Sequence, residues 1–133
     1  MTIDDVLAIS DSTAFAIALS DLVCPRCYAD GLDSLTPAEQ VAFHVDELER
    51  EVNNGGYSQF FSNSSREFVD VIEEALVAIG CPKVAATTRR AIESQTVEAV
   101  LAKCDDAYYA NDEPIADRLL AWIRANSTSV RVP

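Results

Sequence analysis

The sequence predicts an all-α protein, a single compact domain of about six helices. Apolar residues recur at intervals of three and four along most of its 133 residues, and no stretch alternates apolar and polar residues long enough to predict a strand. Helix-capping sequences separate these segments. The apolar fraction of 49% and the small number of glycines (4) and prolines (5) are typical of a globular chain and exclude a low-complexity one.

The first helix is predicted from about Asp4 to Val23, and Asp11 or Ser12 would cap or interrupt it. We expect it to end at Cys24-Pro25, because a residue that precedes proline is disfavoured in the α region. A polar turn follows at residues 30–34. The apolar face of this helix carries, at helical spacing, Phe15, Leu19 and Leu22.

The second helix has the clearest start. Thr36 is placed to cap it, Pro37 occupies the first helical position, and Glu39 completes a capping box. Its core face comprises Val41, Val45, Leu48 and Val52. We expect it to stop at residues 53–56, Asn-Asn-Gly-Gly, which tolerate positive φ, and residues 57–61 to form a short helix or turn.

Four further segments complete the prediction. Ser64 and Glu67 form a second capping box for a helix that ends at Gly80. Pro82 begins a helix that reaches about Ile92, and residues 112–114 open the last one. The apolar faces are, in chain order, Phe68, Ile72, Leu76 and Ile79; Val97, Val100, Leu101 and Cys104; and Ile115, Leu119, Trp122 and Ile123. Residues 1–126 are predicted to form the domain and residues 127–133 a frayed tail.

Charge limits the choice of partners. The chain has 22 acidic and 10 basic residues, a net charge of −12, and its pI is near 4.2. Such a polyanion repels nucleic acids and anionic membranes, so we expect neither as a direct partner and expect a basic protein instead. The first residues lack the positive region of a signal peptide and no apolar run is long enough to span a bilayer, which predicts a cytoplasmic protein.

The acidic excess is unevenly distributed. Residues 1–79 carry 15 acidic and 3 basic residues, a net of −12, whereas residues 80–133 carry 7 of each. Glu67, Asp70 and Glu74 stand at i, i+3 and i+7, a row whose neighbours lie about 5–6 Å apart, close to the spacing of phosphates along a strand. This predicts either a plain solvated surface or a partner-binding acidic face made of Asp46, Glu47, Glu49, Glu67, Asp70, Glu73 and Glu74.

The most distinctive stretch is the segment around the two adjacent glycines. It indicates a structural corner between two helices, where amides and hydroxyls satisfy backbone groups and Phe60 and Phe61 enter the core. Its residues are Glu51, Asn53, Asn54, Gly55, Gly56, Tyr57, Gln59, Phe60, Phe61 and Asn63.

This stretch resembles the signature of a bacterial domain family, largely of unknown function, whose characterised member is a DNA-mimic protein. The pattern Glu-Val-Asn-Asn-Gly-Gly, an aromatic residue, glutamine, two aromatic residues and asparagine is matched over about 15 residues, 51–65. The resemblance implies an all-helical fold. It also implies an acidic surface that imitates the phosphates of duplex DNA and occupies the DNA-binding face of a transcription factor.

Two cysteines form a C-x-x-C pattern, Cys24 and Cys27, which can clip zinc or exchange disulfides. A closed zinc site needs two more ligands, for which Cys81 and Cys104 are the candidates, and thioredoxin-like chemistry needs a βαβ context. We therefore predict free thiols, with no bound metal and no cofactor. His44 flanks the apolar stripe of its helix and is predicted to be partly buried, and no catalytic residues are assigned, so the protein is not predicted to be an enzyme.

The leading prediction is a small acidic protein that binds a basic protein, as a DNA mimic on the nucleic-acid surface of a DNA-binding protein. One alternative is a neutraliser of a cationic toxin, like an immunity protein or antitoxin. Another is a metal-binding or redox protein that uses Cys24 and Cys27, and a third is a structural domain whose acidic face is not a site. A homodimer is left open.

Overall fold

The computed structural model describes residues 2–64 and 66–126, and these contain helices and no strand. The all-α prediction is therefore confirmed, with seven α-helices in the described residues where about six were expected. They are α1 (Ile3–Leu7), α2 (Ser12–Asp30), α3 (Pro37–Asn63), α4 (Arg66–Ala78), α5 (Pro82–Glu93), α6 (Glu98–Tyr109) and α7 (Ile115–Ala125), with a 3₁₀ turn at Leu32–Ser34.

The additional helix arises where the first predicted helix divides. Thr2 and Asp5 form a capping box that starts α1. The two hydrogen bonds from Thr2 lower the pKa of the Asp5 carboxyl. Asp11 then starts α2, since its side chain accepts a hydrogen bond from the amide of Ala14 at 2.8 Å. The predicted interruption at Asp11 is confirmed, and it separates two helices.

The predicted end of the first helical region at Cys24-Pro25 is wrong. Pro25 lies inside α2, which continues to Asp30 and ends at Gly31, where φ is 89°. Pro25 and Asp21 are both exposed. A proline at position 25 leaves the carbonyl of Asp21 without its helical donor, and the exposure of both residues favours hydration of that carbonyl, which lowers the cost of a proline inside the helix.

The chain divides into two compact units, of which the first comprises Met1–Asp46 and Ile115–Pro133. Within it, α2 packs against α1, the 3₁₀ turn and α7. Arg124 of α7 donates to the carbonyl oxygens of Leu7 at 3.1 Å and Ile9 at 2.6 Å, which satisfies backbone acceptors at and after the end of α1. The largest fully buried side chains of this unit include Phe15, Leu19, Phe43 and Ile123.

An ion pair holds the start of α3 in the first unit. The predicted capping box is confirmed, because Thr36 N donates to Oε1 of Glu39 at 2.8 Å and Glu39 N donates to Oγ1 of Thr36 at 3.2 Å. The side chain of Glu39 is 0% exposed and its Oε2 binds Nη1 of Arg26. Arg26, the residue between Pro25 and Cys27 in the C-x-x-C segment, thus neutralises a fully buried carboxylate.

The second unit comprises Glu47–Pro114, and within it α5 packs against α4 and α6. The start of α5 has no side-chain cap of its own. Glu113, which is 6% exposed, supplies one, since Oε1 accepts from Val84 N at 2.7 Å and Oε2 accepts from Lys83 N at 3.1 Å. The second predicted capping box is wrong: Oγ of Ser64 is buried and has no hydrogen-bond partner among the described residues.

The prediction that residues 1–126 form one domain stays a prediction, and the predicted frayed tail at 127–133 lies outside the described residues. Of the helices within residues 2–64 and 66–126, none has both the length and the apolar character needed to cross a membrane.

Candidate functional site: the glycine corner and the acidic face

The predicted stop at residues 53–56 is confirmed, because two helical segments, written together as α3, meet there at a kink. Only Gly55 and Gly56 leave helical geometry, and the helix then resumes to Asn63. Gly56 has φ 74° and ψ −175°, a conformation that is essentially restricted to glycine. Residues 57–61, predicted as a short helix or turn, are therefore a helix that begins after the kink.

A carboxylate from α6 caps this resumed helix. Oδ1 of Asp105 accepts a hydrogen bond from Tyr57 N at 2.8 Å. Gly56 is buried beneath the same carboxylate, so that a Cβ at position 56 would lie 2.5 Å from Oδ2 of Asp105. Glycine is required here by both the backbone conformation and the space.

Amide side chains join the two sides of the kink. Oε2 of Glu51 accepts from Nε2 of Gln59 at 2.7 Å and from Nδ2 of Asn63 at 2.9 Å. Oε1 of Gln59 accepts from Nδ2 of Asn54 at 3.1 Å, while Nδ2 of Asn53 donates to the carbonyl of Glu49 at 2.7 Å. The polar residues of the distinctive stretch thus hold the kink, which supports its interpretation as a structural corner.

The aromatic residues of the corner form part of the core. Tyr57 is 0% exposed and its hydroxyl forms a hydrogen bond with Oγ1 of Thr88 at 2.7 Å, while burial raises the pKa of this tyrosine. Phe60 is 1% exposed, as predicted. Phe61 is only half-buried and stacks on Tyr57 with ring centroids 6.2 Å apart. The prediction that both phenylalanines enter the core holds for Phe60 alone.

Three carboxylates of the predicted acidic face do not lie on an exposed surface. Asp46, in the first unit, is half-buried and accepts from Oγ of Ser20 at 2.9 Å. Glu47 is 6% exposed, and half-buried Glu49 accepts from the hydroxyl of Tyr108. The helical spacing that suggested a polar side for this part of α3 did not account for the helices that cover it.

The remaining part of the predicted face lies on α4. Glu67, Asp70 and Glu74 are exposed and follow one another at i, i+3 and i+7, so the predicted row exists on one helix face. Glu73 beside the row is partly exposed, with Oε1 3.9 Å from Nη1 of Arg89. We call Glu67, Asp70 and Glu74 the acidic row.

The cysteines are buried thiols. Cys24 and Cys27 lie one turn apart inside α2, and Cys81 and Cys104 are buried in the second unit. Cys24 Sγ is 3.6 Å from Oδ2 of Asp46, and burial raises the pKa of Cys104. The described residues contain no group of three or more His, Cys, Asp or Glu side chains that could hold a metal ion.

His44 is 5% exposed, with its ring against Phe43 at a centroid distance of 5.7 Å. Its position beside the apolar stripe predicted partial burial, and the burial is confirmed. Burial lowers the pKa of His44 from 6.5 to about 4.

His44 should make the protein sensitive to mild acid. Because its pKa is lower in the folded than in the unfolded state, the unfolded state binds more protons as the pH falls from 6.5 towards 4, and stability is lost over that range. We expect a loss of about 2 kcal/mol between pH 7.5 and pH 5. Urea unfolding of wild type and His44→Gln at both pH values measures it, since carboxylate effects are common to the two proteins. An equal pH dependence in both would contradict this assignment.

The fold and the corner define a small acidic all-helical protein whose distinctive segment is a glycine kink capped by a carboxylate from another helix. Residues 33–126 match the family described as DMP19-like protein. This match covers more than half of the chain, which therefore belongs to the DMP19-like protein family. No curated protein and no solved structure shows a significant match to the chain.

Proposed function

We propose that this protein binds a basic surface of a protein partner through the acidic row of α4 and thereby imitates DNA. The observation that carries the proposal is the row itself, three exposed carboxylates on one face of one helix. Like charges at this spacing repel one another, although Glu67, in the first turn of α4, also interacts favourably with the helix dipole. Family membership and the net charge of −12 support the same function.

The dimensions of the row suit a DNA-binding surface. Glu74 is seven positions after Glu67 on α4, a rise of about 10 Å. One strand of B-DNA presents one phosphate per about 3.4 Å of axis, so about three phosphates occupy the same length. A basic groove that accepts a DNA strand can therefore accept this row with a comparable charge density.

Other acidic residues have structural tasks. Glu39, Asp105 and Glu113 cap helices, and Glu51 ties the kink together. Carboxylates of this kind contribute to the net charge of the protein without forming a docking surface. The partner proposed here thus recognises the charges of α4 rather than the acidity of the chain as a whole. The protein acts by binding in this proposal, and no catalytic step is assigned to it.

The test is charge reversal in the acidic row. Glu67→Lys with Glu74→Lys should weaken partner binding at least about tenfold at low salt and make the remaining affinity less dependent on salt, because exposed charges steer encounter and are screened. A matched control, Glu93→Lys with Asp106→Lys, makes the same change in charge on α5 and α6, where both residues are exposed. It should change affinity far less.

The partner is isolated from native cell extract on immobilised wild-type protein at low salt, with the reversed protein as the comparison. Affinity is then measured for purified proteins at two salt concentrations, and duplex DNA that the partner binds is added as a competitor. Competition between DNA and this protein supports mimicry. A partner that binds both at once, or equal affinity for wild type and both charge-reversal variants, contradicts it. Thermal unfolding followed by circular dichroism verifies that each variant is folded.

A further inference from the structure

An apolar groove lies along the outer side of α2 in the first unit, with a volume of about 500 Å³. Its lining consists of Ile9, Ala14, Ile17, Ala18, Asp21 and Leu22. Ile17 is 60% exposed, although the opposite side of the same helix, which includes Phe15 and Leu19, is buried in the core. Helix α2 is thus apolar on both sides, and a helix of this kind is normally covered on both.

The exposed apolar surface of α2 continues beyond the groove. Pro25 and Tyr28 follow at helical spacing, and Tyr28 is 66% exposed. Asp21, the charged residue of the groove lining, is exposed and lies near the middle of this stripe. A segment that covers the stripe therefore needs apolar side chains together with a cationic one.

The last described residues lie beside this groove. Helix α7 packs against α2, and Arg124, in the last turn of α7, donates to the carbonyl oxygen of Ile9 at 2.6 Å. Ile9 is itself part of the groove lining, next to the first turn of α2. The residues that follow α7 therefore begin near the end of the groove that Ile9 forms.

We propose that residues 127–133 lie in this groove and cover the apolar side of α2, instead of forming the frayed tail expected from their sequence. This segment, Ser-Thr-Ser-Val-Arg-Val-Pro, contains two valines with an arginine between them. In an extended segment Val130 and Val132 face the same side, towards the apolar lining, and Arg131 faces the other. The long side chain of Arg131 can then reach the exposed carboxylate of Asp21.

The length of the segment suits the groove. Asp21 lies nine positions after Ser12, the first residue of α2, a rise of about 13 Å. Arg131 is five positions after Asn126, and an extended chain covers about 3.3–3.6 Å per residue, roughly 17 Å in all. The segment can therefore extend from Ile9 to Asp21 without unwinding α7.

A second copy of the chain fits the groove less well. Because Asp21 is near the middle of the stripe, antiparallel packing of two α2 helices about a twofold axis brings the two Asp21 side chains close together. Each chain also has a net charge of −12, and like charges repel in close contact. The proposal concerns the first unit and does not depend on the acidic row, which lies in the second unit.

Methyl NOE spectroscopy on the full chain tests the contact directly. We expect NOEs from the methyl groups of Val130 and Val132 to those of Ile17 and Leu22. In a mixture of ¹³C-labelled and unlabelled protein, an isotope-filtered spectrum detects only contacts between separate chains. The NOEs should be absent from that filtered spectrum, because the segment and the groove belong to the same chain.

Charge variants test the pairing of Arg131 with Asp21. Arg131→Glu should weaken the NOEs at least about twofold, because it sets a like charge against Asp21. Asp21→Lys added to Arg131→Glu returns opposite charges to the two positions and should restore the NOEs. Asp30→Lys added to Arg131→Glu is the matched control and should not restore them, since Asp30 is exposed on α2 outside the groove lining.

An uncharged dye measures whether the segment covers the groove. Nile red fluoresces on exposed apolar surface, so its fluorescence should rise at least about twofold in Arg131→Glu and return to the wild-type level in the Asp21→Lys, Arg131→Glu double variant.

Absence of the valine NOEs in wild type, their presence only between separate chains, or equal intensities in wild type and Arg131→Glu would overturn the proposal. NOEs between the Ile17 side chains of two chains would assign the groove to a second copy instead. None of these results depends on charge reversal at Glu67 and Glu74, so this proposal and DNA mimicry fail separately.

Discussion

We expect Gly56→Ala to lower the free energy of unfolding by about 3 kcal/mol or more. Two costs add at this position. A φ of 74° with ψ of −175° is strained by about 1–3 kcal/mol for a residue with a Cβ. The new methyl would also lie 2.5 Å from Oδ2 of Asp105, so the carboxylate that caps residue 57 must move.

The control for Gly56→Ala is Gly80→Ala in the same unit. Gly80 has φ 85°, but nothing lies within 4 Å of the position that its Cβ would occupy. It should therefore show the backbone cost alone, about 1–2 kcal/mol. Urea unfolding of both variants separates the conformational cost from the steric one.

Asp105→Ala tests whether the steric cost at position 56 is real. Alone it removes the cap on Tyr57 N and should cost about 1–2 kcal/mol. In combination with Gly56→Ala it also removes the clash, so the double variant should be more stable than the sum of the two single effects predicts. Strict additivity, or equal effects of Gly56→Ala and Gly80→Ala, would show that Asp105 does not restrict position 56.

The part of the fold that could be predicted from sequence is the part fixed by neighbouring residues. The capping box of Thr36 and Glu39 spans three residues, and both of its hydrogen bonds are present. The spacing of the acidic row predicted that its three residues share one face of α4. That prediction needs no distant residue, because the geometry of an α-helix alone makes residues three and four apart neighbours on its surface. The distinctive stretch was recognised from composition alone, since adjacent glycines flanked by amides are typical of a helix corner.

The errors at the acidic face have a common cause, because the burial of its carboxylates depends on residues far away in the chain. Asp105 caps a helix whose first residue lies 48 positions earlier in the chain. The hydroxyl of Tyr108 donates a hydrogen bond to the carboxylate of Glu49, which lies 59 positions earlier. No local pattern predicts that Glu47 is buried or that Ser64 lacks a partner.

Pro25 illustrates the limit of a local rule. A proline disfavours the α conformation of the residue before it, and Cys24 was expected to end the helix on that ground. The helix continues because Cys24 and Cys27, one turn apart, are buried and position 25 between them is exposed. Burial of the residues on either side stabilises the helical backbone enough to offset the missing hydrogen bond.

Arg26→Met is expected to have the other large effect, a loss of about 3–5 kcal/mol in the free energy of unfolding. The Glu39 side chain that Arg26 binds is 0% exposed, whereas the Arg26 side chain is 16% exposed. Removal of the guanidinium leaves a buried carboxylate without its counter-charge, and that penalty is far larger than the contribution of a surface ion pair.

Arg89→Met is the matched control, because it removes a guanidinium from an exposed pair of carboxylates, Glu73 and Glu93, and should cost less than about 1 kcal/mol. Glu39→Gln should recover part of the loss when added to Arg26→Met, because the amide oxygen can still accept from Thr36 N and no charge remains buried. Urea unfolding of the single and double variants at pH 7 measures both effects. If Arg26→Met is no worse than Arg89→Met, Glu39 does not need its partner, and the arginine inside the C-x-x-C segment has some role other than neutralising the buried acid at the start of α3.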